Sequence, residues 1–109
     1  MRSSDSLAEN LSTYFEFMDL TSNGVAQANN LSQKTVWVCC NGAVVPSVNT
    51  AQAVCDAVGL DPGIVSRKAY PADKLKNSKR VGEIVDKLML LDVQQLRIIN
   101  SMVDGLLDK

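Results

Sequence analysis

Between Gln33 and Asn41 the chain carries the side chains best suited to chemistry on a ligand. In the run SQKTVWVCCNG, Val36 and Cys39 fall three apart and mark the inner face of a helix, with Leu31 just ahead of them. Gln33, Lys34, Trp37, Val38 and Asn41 are left on the outer face. A glutamine amide sets a donor beside an acceptor and can pair with an adenine edge. A lysine ammonium suits guanine or a phosphate, and an asparagine amide can hold phosphate oxygens. Trp37 has two uses open to it: stacking on a thymine methyl or sugar, or half-burial against the preceding helix.

Other chemistries find less to work with. The chain has no His, which removes the usual general base and most zinc and haem arrangements. Its cysteines are Cys39, Cys40 and Cys55, an odd number with two of them vicinal and none at CxxC spacing. They read as reduced thiols packing as small apolar residues, with a redox switch at Cys40 as the alternative. No nucleophile–base pair, phosphate loop or paired-carboxylate spacing stands out. The expectation is a protein that is not an enzyme and that holds neither metal nor cofactor.

The elements that must position the Gln33–Asn41 face follow from local signals. Thr21 or Ser22 can cap a short helix, since a hydroxyl there satisfies amides of the first turn. Asn30 can turn the chain, because asparagine enters the left-handed region at low cost. Ser32 caps a second helix over 33–41, and Gly42 ends it. Two short helices, a tight turn and a buried leucine within the turn describe a helix-turn-helix. Gly24, inside the first of the two, reads as a tolerated glycine or as a point of close approach.

The flanking chain is read the same way. Residues 1–5 are expected to fray, with Ser6 capping a helix from Leu7 to about Asp19 whose stripe is Leu7, Leu11, Phe15 and Met18, widened by Tyr14. After Pro46, Ser47 or Asn49 caps a helix with Val48, Ala51, Val54, Cys55 and Val58 inward, ending at Gly59 before a buried Leu60. Asp61-Pro62 opens a short turn or helix. Residues 66–80, SRKAYPADKLKNSKR, read as a basic linker or exposed loop, its lysines solvated or on phosphate. Val81, Ile84, Val85 and Leu88 then mark a helix over 81–91. Asp92 with Gln95 makes a capping-box start for a last helix to about Leu107, with Leu96, Ile99, Val103 and Leu106 as its stripe.

Composition is consistent with an all-α chain of one domain with an appendage. Hydrophobic residues make up 46% of it, with few aromatics and sparse Gly and Pro. No apolar run reaches bilayer-spanning length, and MRSSDSLAEN lacks a signal-peptide core, so no membrane contact and a cytoplasmic location are expected. Net charge is −1, unevenly spread. Residues 1–31 carry one basic against four acidic side chains, 32–80 carry seven against three, and 81–109 carry three against five. The positive middle begins at the Gln33 helix, an electrostatic footprint for a polyanion.

From Leu7 to Val65 the chain resembles the Cro/CI-like (XRE-family) helix-turn-helix domain of phage repressors and bacterial regulators. The residues that carry the likeness are Leu11, Leu20, Val25-Ala26, Asn30 through Val36, Asn41-Gly42, Pro46-Ser47-Val48 and Val54 through Leu60. The resemblance implies a five-helix lambda-repressor-like DNA-binding domain over 6–65, with helix 33–41 in the major groove of a double-stranded operator. It implies base contacts from Gln33, Lys34, Trp37 and Val38, and phosphate contacts from Ser22, Asn23, Ser32 and Asn41. It also implies transcriptional regulation, of repressor type and phage or prophage kind, by a homodimer. The pairing surface is expected in a helical hairpin over 81–109, with Ile98, Met102 and Leu107 to spare for it. A fragment ending near Tyr70 is then expected to stay folded and monomeric. Two alternatives stand beside this one. One is an antitoxin that regulates its own operon and covers a toxin. The other is a protein-interaction module on the same fold, and a protein partner such as an antirepressor is compatible with each.

Overall fold

Hydroxyl and carboxylate caps set most of the helix starts. In the computed structural model, which describes residues 3–108, Thr21 accepts a hydrogen bond from the Gly24 amide at 2.9 Å and opens α2 (Ser22–Ala28). Ser32 does the same from Thr35 at 3.0 Å for α3 (Gln33–Asn41). Ser47 opens α4 (Val48–Val58) and Asp61 opens α5 (Pro62–Val65). The first helix, α1 (Ser3–Phe17), starts ahead of the expected Ser6 cap; Ser6 lies buried within it. Of the residues expected to fray, the first two lie outside the described part, and Ser3 onward is helical.

Three helices end alike. Asp19 (φ 56°), Asn30 (φ 56°) and Gly59 (φ 80°) take left-handed backbone, and each is followed by a leucine. The amides of Leu20, Leu31 and Leu60 donate to Phe15, Ala26 and Cys55 at 2.7, 2.9 and 2.8 Å. This closes the helix end and turns each leucine toward the centre, the hydrophobic contact that accompanies such caps. Leu60 is buried, and Leu20 and Leu31 pack on the core partly buried.

That core joins Leu7, Leu11, Tyr14 and Phe15 of α1 to Val25 and Ala26 of α2, Val36 and Cys39 of α3, and Val54 and Cys55 of α4, with Leu60 and Val65. Two residues of the expected stripes fall outside it. Met18 lies past the end of α1 and is exposed, and Val48, in the first turn of α4, is 81% exposed. All described residues in regular structure are helical.

Residues 66–80 are not a linker. They form α6 (Ala72–Leu75) and the start of α7 (Ser78–Leu88). Leu75 is buried in the core, and α6 packs against α1. Asn10 of α1, 1% exposed, ties the segment down. Its Nδ2 donates to the carbonyls of Val65 and Lys68, both at 2.8 Å, and its Oδ1 accepts from the Tyr70 amide at 3.0 Å. The charges of Arg67, Lys68, Lys74, Lys76 and Lys79 thus sit on an ordered segment.

The seat of α7 is a glycine. Ser78 and Gly82 are its buried residues, and the Asp61 amide donates to Ser78 Oγ at 2.9 Å. A Cβ on Gly82 would run into the Asp61 carboxylate, 2.9 Å from its Cγ, while that carboxylate is held by the Ile64 amide at 3.0 Å. Gly82→Ala is therefore expected to lower stability by about 1–3 kcal/mol, the usual cost of overpacking. Urea denaturation measures it, and an unchanged midpoint would show that α7 is not seated through this contact.

Asp92 opens α8 (Val93–Leu107) with both bonds of a capping box, Asp92 N to Gln95 Oε1 at 3.0 Å and Gln95 N to Asp92 Oδ1 at 2.9 Å. The expected hairpin does not form. The helix packs along none of the other described helices and has no buried residue. The four-residue connection from Met89 to Asp92 sends it outward instead of folding it back. The radius of gyration, 15.6 Å, exceeds the roughly 13 Å of a compact domain of this length.

Candidate functional site

On α3 the inward positions are Val36 and Cys39, both buried. Gln33, Lys34, Trp37 and Asn41 lie exposed on the opposite side, with Trp37 at 52%. Val38, expected with them, is only half exposed, because its position turns toward the helix flank. The outward face is thus three polar side chains around one indole. Helices α1, α2 and α4 all pack on α3, which fixes that face to the core.

Ser22 and Asn23 form the first turn of α2, half-buried and exposed respectively. Gly24 has a local explanation here. A Cβ on it would approach the capping hydroxyl of Thr21 to 2.9 Å, so glycine keeps the Thr21 cap in place. Ser32 caps α3, and its hydroxyl also lies 2.6 Å from that of Thr35, so a phosphate would compete with these bonds. Asn41 accepts from the Ala43 amide at 3.1 Å and helps turn the chain out of α3 at Gly42 (φ 80°). A Cβ on Gly42 would press on the Ala8 Cβ at 3.0 Å, so α1 lies close beneath this exit. Ser12 of α1 donates to the Cys40 carbonyl at 2.6 Å in the same region.

The thiols lie behind the exposed face. Cys39 and Cys55 are buried and Cys40 is half-buried. Burial pushes the Cys40 and Cys55 thiols up to about 12, with the neighbouring Cys39 adding to both, and burial raises Cys39 as well. At neutral pH all three stay protonated, and it is the thiolate that reacts with oxidants and metals. Among the described residues no cluster of three Cys, Asp or Glu side chains is placed to hold a metal ion.

The expected pairing residues lie elsewhere. Ile98, Met102 and Leu107 are 62%, 60% and 78% exposed on α8. At about 100° per residue, Ile98 and Met102 share one flank, while Leu107 stands roughly half a turn away with Val93. They are two flanks of one apolar helix, not a single patch. No described helix is long and apolar enough to cross a membrane.

Sequence reasoning passed over Asn10, Tyr70, Leu75, Ser78 and Gly82, which hold the segment after α5 against the body. The only local signal was Leu75, one large apolar residue among lysines. Comparison of the chain with protein-family models, with curated proteins and with solved structures gave no match.

Proposed function

We propose that this chain is a sequence-specific double-stranded-DNA-binding transcriptional regulator. In this reading the α1–α5 body is a lambda-repressor-like helix-turn-helix domain, α3 enters the major groove, and the protein binds as a pair. The observation that carries it is the outward face of α3. Gln33 and Lys34 stand exposed in its first turn, Trp37 one turn on, and Asn41 at its end, on a helix backed by a continuous core. An α-helix fits the major groove, and glutamine and lysine are suited to adenine and guanine edges there. The balance of seven basic against three acidic residues over 32–80 adds the long-range attraction that brings a protein to phosphate. With residues 66–80 ordered on α1, that charge is presented by the folded body.

The half-exposed indole favours one further reading on the same fold, a protein-interaction module in which Trp37 makes an apolar contact; the antitoxin reading shares it. Selection of bound duplexes from random DNA at a stated salt concentration separates them. The expected result is a defined half-site, with quenching or a shift of Trp37 emission on titration. On that site Gln33→Ala is expected to cost about 1–3 kcal/mol and relax one base position. Lys34→Ala lowers affinity by a similar amount. If the double variant folds and binds the selected site with wild-type affinity and selectivity, α3 is not the reader.

A further inference from the structure

The largest feature that the DNA-binding reading does not use is α8 itself. Val93, Leu96, Ile98, Ile99, Met102, Val103, Leu106 and Leu107 cover about 220° of its circumference at 100° per residue. None of them is buried. A helix apolar over so wide an arc requires partners on two sides. A second open stripe lies one turn of chain away on α7, where Val81 and Ile84 are exposed and Leu88 is half-buried. Within the chain the two surfaces do not cover each other.

The stripe of α8 is its own complement in reverse. Leu96, Ile99, Val103 and Leu106 are spaced three, four and three, so a two-fold axis near Ser101 sets Leu96 against Leu106 and Ile99 against Val103. The same operation brings Arg97 level with Asp104 of the other copy. Parallel pairing would instead set Arg97 beside Arg97 and Asp104 beside Asp104, and would align the helix dipoles unfavourably. Self-complementarity of this kind is what an isologous dimer requires. A pair of 15-residue helices, about 22 Å long, is marginal alone, so a second contact must support it.

From this we infer that a second copy of the chain covers α8: the two α8 helices pair antiparallel across Leu96, Ile99, Val103 and Leu106, and each lays its Ile98/Met102 flank on the open stripe of the partner's α7. The assembly is intertwined, with each α8 serving the other copy's α7 in place of its own. It deepens the pairing in the reading above and rests on that pairing, though on no part of the DNA chemistry.

The test uses the full chain without DNA. Sedimentation at micromolar concentration is expected to show a dimer, and Val103→Asp a monomer with an unchanged helical signal for the body. Ile84→Glu, a solvent-facing change within one copy, is expected to raise the dimer dissociation constant at least tenfold. Mixing Val93→Cys chains with Leu107→Cys chains under mild oxidation is expected to link one to the other. The native thiols stay out of this reaction because burial keeps them protonated. A monomeric wild-type chain, or links of each variant only to itself, overturns the antiparallel pair. A dimer indifferent to Ile84→Glu overturns the exchange with α7. Failure to select any DNA would sink the regulator reading and leave these outcomes unaffected.

Discussion

Asn10→Ala is expected to lower the stability of the chain by about 3 kcal/mol or more. The asparagine makes three hydrogen bonds of 2.8, 2.8 and 3.0 Å, and all three go to main-chain groups of the Val65–Tyr70 segment. A hydrogen bond contributes roughly 0.5–1.5 kcal/mol net, while a buried group left unpaired costs about 1–3 kcal/mol. Alanine removes one donor group and one acceptor and orphans two carbonyls and an amide. Water reaches the partly buried pair at Lys68 and Tyr70 and softens the loss there, but the Val65 carbonyl is buried. In a domain of this size the melting temperature falls by about 4–8 °C for each kcal/mol, so a drop of more than 10 °C is expected. Asn10→Asp keeps the shape but loses both donated bonds, and is expected to do no better. Calorimetry on the two variants decides the matter. A shift of only a degree or two would mean that the segment is held by Leu75 alone.

The same residue shows where the sequence stops being informative. A polar side chain at position 10 of an amphipathic helix reads as a solvated one, and its partners lie 55 to 60 residues further on. Nothing local marks it. The capping residues behave oppositely. Ser32, Ser47 and Asp92 each bond an amide three residues away, so residue type and the start of an apolar pattern suffice to place them. Asn30 was legible as a turn for the same reason, whereas Asp19 was not, since aspartate takes left-handed backbone less often than glycine and the α1 stripe ran on to Met18. On α3 the inward and outward positions followed from a three-residue spacing, and only Val38, at the edge of the two faces, was misplaced. Residues 66–80 failed because one buried leucine cannot be seen as a pattern. For α8 the periodicity was plain, but periodicity says that a face needs covering and not which element covers it.

Truncation separates the body from the arm, and the expected cut differs from the one the sequence favours. A chain ending at Tyr70 loses Leu75 from the core, together with Ser78 and Gly82 from their seat on Asp61. Removing a buried leucine side chain alone costs about 2–5 kcal/mol. Against a total stability of roughly 5–15 kcal/mol for a natural domain, that loss, with the Ser78 bond and the α7 packing added, leaves little. Residues 1–70 are therefore expected to be largely unfolded at 25 °C, with low helicity and no cooperative melt. Residues 1–91 keep every buried residue of the body and end before α8, none of whose residues is buried. This fragment is expected to melt cooperatively within a few degrees of the full chain and to be monomeric at micromolar concentration. Circular dichroism and light scattering on the three lengths give the answer. If residues 1–70 melted like the full chain, α6 and α7 would be appendages after all. If residues 1–91 remained dimeric, the pairing surface would have to lie on α7 or the body, and α8 would need another partner.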